Sequence, residues 1–457
     1  MKKAICVLAC VIALMLTGCQ GQGDLTNNTP PVHSSNVGEK PPDSDSPTSS
    51  TGHSTGFPNP DGDPGEVDTS GFQREMNVHH PFRINTACKT ENGYYFEYSW
   101  FLYFMDAASG EMIVVCSKPE CGHNSKDCNA YIQANLLSYY QGKLYYVTTA
   151  YLDADYHSID TLCSMNLDGT SHTDLQKVRI DLTTPRAGCA DPLLINGTVY
   201  FMEADHSIYR MALGQDVSKA TLLLEENIPE KMANAQAFTS NTDWKFWADG
   251  GDVCAMCHVF TSSGEYVDIL YSLGENRLGS REIWRSSQAG VSGQRDNISS
   301  WYILNGHLYY YFSGFDLWDI DLNTGEAAAL VNLAGTIKSG AAVFTDRCVI
   351  ILDDQPQTNS AGLYRQGGKN ISVYDYSGNL LKSVDLSFVY KEYPNTHHCE
   401  LIFADGNTVF LQGYIGMDNG MTSHLYQIDW ESGTAREINS WPASDVPYDD
   451  AVKEFVI

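Results

Sequence analysis

From about residue 80 onward, apolar and aromatic residues gather in short runs separated by turn residues. The clearest stretch is Asn305-Gly306-His307-Leu308-Tyr309-Tyr310-Tyr311-Phe312, followed by Leu317-Trp318-Asp319-Ile320-Asp321-Leu322-Asn323-Thr324-Gly325. Tyr, Phe, Leu and Ile suit a pleated, half-buried surface, and Asn-Gly takes up the positive φ that two-residue hairpin turns require. Each such stretch therefore predicts a strand leaving a tight turn, then a second strand ending in another turn. Comparable turn signals fall at Asn92-Gly93, Gln141-Gly142, Asn196-Gly197, Asp249-Gly250-Gly251, Thr345-Asp346 and Asp405-Gly406-Asn407. Between residues 93, 142, 197, 250, 306, 346 and 406 the gaps are 49, 55, 53, 56, 40 and 60.

One hairpin pair cannot bury its own apolar face, so it needs copies of itself. A period near 50 with four short strands per period predicts an all-β fold, a β-propeller of seven four-stranded blades over residues 80–457. The sixth unit replaces Asn-Gly with Thr345-Asp346-Arg347, which leaves six and eight blades as alternatives. The aromatics of these strands are expected to fill the core between blades rather than to form stacking platforms for sugars.

The first 79 residues read differently. Lys2 and Lys3 precede an apolar run, Ala4 to Leu16, which is short for a bilayer span and fits a secretion signal over residues 1–19. Its end, Leu16-Thr17-Gly18-Cys19, resembles the lipobox of bacterial lipoproteins, in which the Cys is diacylated and becomes the new N-terminus. That resemblance implies lipidation at Cys19 and a chain held at the extracytoplasmic face of the cell membrane by its acyl chains. Residues 20–71, rich in Gly, Pro, Ser, Thr and Asp, have too little apolar surface to fold and predict a disordered tether. Within it, Asp61 to Asp68 alternates Asp and Gly but lacks a twelve-residue calcium-loop pattern, so it reads as solvated linker.

Charge narrows the partners. Lys and Arg number 28 against 56 Asp and Glu, a net charge of −28. Such a surface repels nucleic acid and anionic head groups.

Ten of the 13 cysteines lie beyond Cys19. The densest group is Cys116, Cys121, His123 and Cys128, with Pro119, Gly122 and Asn124 supplying bends. Three thiolates and one imidazole make a complete tetrahedral zinc set, although common zinc modules open with a shorter spacer. The alternatives are structural disulfides, one local and one reaching a distant partner such as Cys88, or reduced buried thiols. Four protein ligands leave no open position, so a catalytic metal is not expected. Cys254-Ala255-Met256-Cys257-His258 matches the c-type haem attachment pattern, yet it sits in a predicted strand, where positions three apart face opposite ways. His397-His398-Cys399 is a further ligand cluster by type, expected in an exposed loop. No Gly-x-Ser-x-Gly elbow, His-Glu-x-x-His motif or P-loop is present, so no catalytic residue is assigned.

Strands ending in Leu-Tyr-Tyr or Val-Tyr-Phe, as at Leu308-Tyr309-Tyr310, then strands such as Ile208-Tyr209-Arg210-Met211-Ala212 and Leu425-Tyr426-Gln427-Ile428-Asp429 and a Gly turn, resemble propeller lipoproteins of anaerobic Gram-positive, Clostridia-like bacteria. Those carry low-density-lipoprotein-receptor-like β-propellers of unknown function. The segment Cys116 to Tyr131 is similar to a Cys-x-x-Pro-x-Cys-x-His segment closing the first blade in that group. The resemblance spans roughly residues 80 to 440 and implies the fold. Three functions follow as expectations: a surface module binding or scaffolding protein, peptide or glycan; an extracellular polysaccharide-active hydrolase or lyase; or a metal-binding or redox lipoprotein.

Overall fold

The computed structural model describes residues 84–151, 158–179, 191–203, 205–225, 242–249, 252–260, 266–286, 299–312, 316–333, 342–353, 370–392, 396–417 and 420–441. The secretion signal with Cys19, the tether, the Asp61–Asp68 stretch and Cys189 lie outside these residues. No helix among the described residues is long and apolar enough to cross a membrane.

The chain folds as a seven-bladed β-propeller, each blade an antiparallel sheet of four consecutive strands. Blade 1 holds β1 (Ile84–Lys89), β2 (Gly93–Tyr98), β3 (Phe101–Asp106) and β4 (Met112–Val114). Blade 2 holds β5 (Ala134–Tyr140), β6 (Lys143–Tyr151), β7 (Ser158–Asn166) and β8 (Thr173–Lys177). Blade 3 holds β9 (Leu193–Ile195), β10 (Thr198–Met202), β11 (Ile208–Ala212) and β12 (Thr221–Leu224). Blade 4 holds β13 (Thr242–Asp249), β14 (Asp252–Phe260), β15 (Tyr266–Leu273) and β16 (Arg281–Arg285). Blade 5 holds β17 (Ser299–Leu304), β18 (His307–Phe312), β19 (Leu317–Asp321) and β20 (Ala327–Val331). Blade 6 holds β21 (Ala342–Phe344), β22 (Cys348–Asp353), β23 (Asn370–Asp375) and β24 (Leu380–Asp385). Blade 7 holds β25 (Thr396–Asp405), β26 (Thr408–Met417), β27 (Gly420–Asp429) and β28 (Thr434–Trp441), preceded by a short helix, α1 (Ser387–Glu392). The first strands of successive blades contact one another from blade 1 through blade 7, so they are innermost.

The turns show why the repeat works. Gln141-Gly142, Asn196-Gly197 and Asn305-Gly306 place both central residues at positive φ, from +48° to +79°, the geometry that matches strand twist in a two-residue hairpin. Two copies use other chemistry. At Gly93 a Cβ would sit 2.0 Å from the Met105 carbonyl oxygen, so glycine there permits close approach of β2 and β3. In the sixth blade, Thr345 Oγ1 accepts from the N–H groups of Arg347 and Cys348, both at 3.1 Å, and closes the turn without glycine. The outer turns rest on a recurrent aspartate. Asp106, Asp321, Asp375 and Asp429 each accept backbone N–H groups two to four residues on, at 2.7–3.2 Å.

The core lies between blades. Trp247, Trp284, Trp301, Tyr302, Tyr309 and Tyr310 pack in one cluster running from blade 4 into blade 6. Tyr302 stacks on Phe344 at 5.7 Å and Tyr309 lies 4.1 Å from Tyr376. These aromatics are inter-blade packing, as their strand positions predict. Blade 7 meets blade 1 through side chains, with no strand exchanged between the two sheets among the described residues. Trp441 stacks on Tyr98 at 3.9 Å, and Tyr94 packs on Phe410 at 5.2 Å. Polar links at the same seam join Tyr94 Oη to Asp405 (2.6 Å) and Lys89 to Asp405 (2.7 Å).

Candidate functional site

Antiparallel alternation sorts the connections onto two faces. The links from first to second and from third to fourth strand emerge on one face; the links from second to third strand and from blade to blade emerge on the other. On the first face the first-to-second turns are two or three residues, as at 141–142, 196–197 and 305–306. On the second face the blade-to-blade connections are longer, as at 178–192, 225–241 and 286–298, and the second-to-third links vary from two residues at 99–100 to sixteen at 354–369.

Buried carboxylates cluster toward that same long-connection face. Glu97 near the end of β2, Asp160 near the start of β7, Glu203 just after β10 and Asp268 near the start of β15 are all buried. They supply one acid each in blades 1 to 4, and the described residues show no buried carboxylate toward the short-turn face. Their contacts reach local backbone, an adjacent strand of the same blade and a neighbouring blade. Glu97 accepts from the Trp100 N–H, and Asp160 accepts from the Thr149 hydroxyl at 2.7 Å. Asp268 accepts from the Tyr310 hydroxyl of the next blade, and its own N–H donates to Ser286 Oγ at 3.0 Å. Lys245 on β13 is held down to about 8 by burial of its ammonium, against which the Asp268 carboxylate pulls upward.

Cys116, Cys121, His123 and Cys128 lie elsewhere. Val114 pairs with Tyr103 as the end of β4, and the Val115 N–H still donates to Leu102 O at 2.9 Å. The chain then leaves the blade and returns at residues 130–132. There the Leu102 N–H donates to Ala130 O (2.7 Å) and the Ile132 N–H to Trp100 O (2.9 Å). Residues 116–129 are thus a bulge inserted into the outer strand of blade 1, at the rim of the ring. Within it, one ligand atom from each of the four residues lies within 4.8 Å of every other. His123, at φ +52°, sets its Nδ1 3.5 Å from Cys128 Sγ. The Ala130 N–H donates to Cys128 Sγ at 3.4 Å. Burial raises the Cys116 thiol, but the N–H groups of Lys118 and Asn129 on its sulfur outweigh this and hold it below the ordinary range; burial pushes the Cys128 thiol up.

Cys116, Cys121 and Cys128 are unbridged, as are the other described cysteines. Cys88 is buried in β1, away from the bulge in sequence and packed in the blade 1–blade 2 core. Cys254 and Cys257 fall on β14, as the strand reading expects. Cys254 packs toward blade 5 and Cys257 toward blade 3, on opposite faces of the sheet, so the two thiols cannot hold one porphyrin together. The loop expected at His397-His398-Cys399 is corrected. These residues lie in β25, where Cys399 is fully buried, because their pairing with Tyr414 and Gly413 carries the strand through them with a bulge. The side chains of His258, His397 and His398 lie outside the described residues.

Two features were missed in reading the sequence: the one-sided set of buried acids and the turn aspartates. The second had a signal, an Asp three or four residues before the Gly of each bend.

No protein-family model matches the chain, and no curated protein matches it. Among solved structures it is similar to an oligogalacturonate lyase in complex with manganese, at 12% identity and a TM-score of 0.37, covering 59% of this chain and 74% of that one. It is also similar to an acylaminoacyl peptidase from Pyrococcus horikoshii, at 12% identity and TM-score 0.37, covering 67% of this chain and 52% of that one. An oligogalacturonate lyase from Vibrio parahaemolyticus aligns at 11% identity and TM-score 0.36, covering 59% of this chain and 74% of that one.

Proposed function

We propose that this chain is a binding or scaffolding propeller of the cell exterior, lipid-anchored through Cys19, that presents its long-connection face to a protein, peptide or glycan. The observation that carries the reading is the asymmetry of the ring. One face bears first-to-second turns of two or three residues and third-to-fourth turns of four to eight, while the other bears the blade-to-blade connections, each of ten residues or more, and the described buried carboxylates. A rigid ring with one variable face is a scaffold for recognition. The net charge of −28 favours neutral or basic ligands over anionic ones. The tether of residues 20–71 would set the ring away from the bilayer.

The test is a glycan and peptide array probed with the full chain. Shortening the 354–369 connection should weaken any captured ligand at least tenfold, whereas replacing Asn323 and Thr324 on the opposite face should leave it unchanged. Turnover of a polysaccharide, abolished by Asp160→Asn or Glu97→Gln, would instead establish the extracellular enzyme.

A further inference from the structure

We propose that Cys116, Cys121, His123 and Cys128 hold one zinc ion in a closed site that staples the outer edge of blade 1 to blade 2. The donor set comes first. Three thiolates and one imidazole are the ligands zinc takes in structural sites, and their number fills its tetrahedron. The distances come second. With zinc arms of about 2.3 Å to sulfur and about 2.0–2.1 Å to nitrogen, a tetrahedron has sulfur–sulfur edges of about 3.8 Å and sulfur–nitrogen edges of about 3.5 Å. The four ligand atoms lie within 4.8 Å of one another, and the His123 Nδ1 to Cys128 Sγ distance is 3.5 Å. A cluster converging this way, from residues up to twelve apart in sequence, has one centre that all four donors face.

The surroundings suit a thiolate centre. N–H groups of Lys118 and Asn129 point at Cys116 Sγ, and that of Ala130 points at Cys128 Sγ (3.4 Å). Such bonds stabilise negative sulfur and orient it toward a metal. Lys118 Nζ donates to the Asp127 carbonyl and spans the loop. No acid stands among the ligands, which sets the centre apart from the oxygen cages that magnesium and calcium prefer.

The position gives the role. The bulge interrupts the outer strand of blade 1, so residues 116–129 have few sheet hydrogen bonds of their own. Cys128 belongs to the apolar cluster that joins blades 1 and 2, with Cys116 and Cys121 packed against it. From blade 2, His172 Nε2 lies 2.9 Å from the Asn129 carbonyl oxygen, while its Nδ1 lies 2.7 Å from Tyr146 Oη. An ion at the centre of the four ligands closes the bulge on itself and holds Asn129 against blade 2. It also keeps three thiols of an exported chain from being oxidised.

The experiment uses the full chain purified with its anchor in detergent. Elemental analysis should give one zinc per chain, and Cys121→Ser and His123→Ala should each lose it. Iron or copper at that stoichiometry would overturn the choice of ion, and zinc retained by both variants would overturn the ligand set. Metal-free protein overturns the proposal in either form: two thiols bridged by peptide mapping, or three thiols open to alkylation. The role is read on the wild-type chain, so folding of the variants does not limit it. Chelation should speed tryptic cleavage after Lys126 at least tenfold while the ring's thermal transition persists. Unchanged cleavage would overturn the staple.

Discussion

The seam between blades 7 and 1 joins the last blade to the first, so it lacks the blade-to-blade connection that links the other neighbours and rests on side-chain packing. The substitution that tests this is Trp441→Ala. Trp441 is the last residue of β28, 7% exposed, stacked on Tyr98 at 3.9 Å and edge-on to Tyr103 at 5.6 Å. A buried tryptophan covers roughly 200 Å², which at about 25 cal/mol per Å² corresponds to about 5 kcal/mol of transfer free energy. The two ring contacts contribute about 0.5–1.5 kcal/mol more each, and partial collapse of the site returns some of the loss. The expected cost is therefore about 3–5 kcal/mol, a large share of the roughly 5–15 kcal/mol that holds a typical folded domain. The polar link at the same seam gives the contrast. Lys89 and Asp405 are 45% and 24% exposed, so Lys89→Ala should cost under about 1 kcal/mol. Trp441→Phe should stand between them and closer to wild type, since the indole N–H has no acceptor among the described residues and the stacking survives. Urea unfolding followed by tryptophan fluorescence and circular dichroism measures all three. A loss below about 1 kcal/mol for Trp441→Ala, or a Lys89→Ala loss as large as the tryptophan's, would refute closure by aromatic packing.

Four further outcomes are expected. Gly93→Ala should destabilise by about 1–3 kcal/mol or more, because its Cβ would meet the Met105 carbonyl oxygen at 2.0 Å; Gly142→Ala, at φ +75° in open space, should cost only about 1–2 kcal/mol of backbone strain. Equal effects in urea titrations would contradict the distinction. Asp106, Asp321 and Asp375 are held below the ordinary carboxylate range, Asp106 and Asp321 chiefly by backbone N–H groups and Asp375 by Asn379 and Ser377 against burial. Their stabilisation is present above about pH 4 and lost as pH falls below it, so replacing all three by Asn should flatten the acid limb of a melting-temperature profile. Cys163 is pushed up to about 12, first by burial, so its contribution is full below about pH 9 and lost as pH rises toward 12; Cys163→Ala should flatten the alkaline limb. Lys245 works in the opposite sense, since its folded value near 8 lies below the unfolded one and its penalty is relieved between pH 8 and 10.5; Lys245→Met should steepen the fall in stability over that window.

How much of this was legible in the sequence depends on whether the signal is local. Asn305-Gly306 and the alternating aromatics around it announce a hairpin because turn geometry and strand face are set by adjacent residues. Seven such units, with the sixth carried by Thr345, specify the ring. The Cys116–Cys128 group was recognisable by residue type, but its place was not. Only the pairing of residues 100–102 with both 115 and 130–132 shows that the group interrupts an outer strand. For His397-His398-Cys399, polar character suggested a loop, and long-range pairing with β26 made it a strand. The buried acids were invisible for the same reason. Glu97, Asp160, Glu203 and Asp268 lie in different blades, and nothing in their own neighbourhoods shows that strand direction brings them to one face.

Whether recognition belongs to the long-connection face is decided by a paired affinity measurement. With a ligand captured from the arrays, dissociation constants would be compared for the wild-type chain, a chain with 354–369 shortened, and a chain altered at Asn323 and Thr324. At least a tenfold loss, about 1.4 kcal/mol, is expected for the first change and none for the second. Loss confined to the Asn323 and Thr324 variant would contradict it.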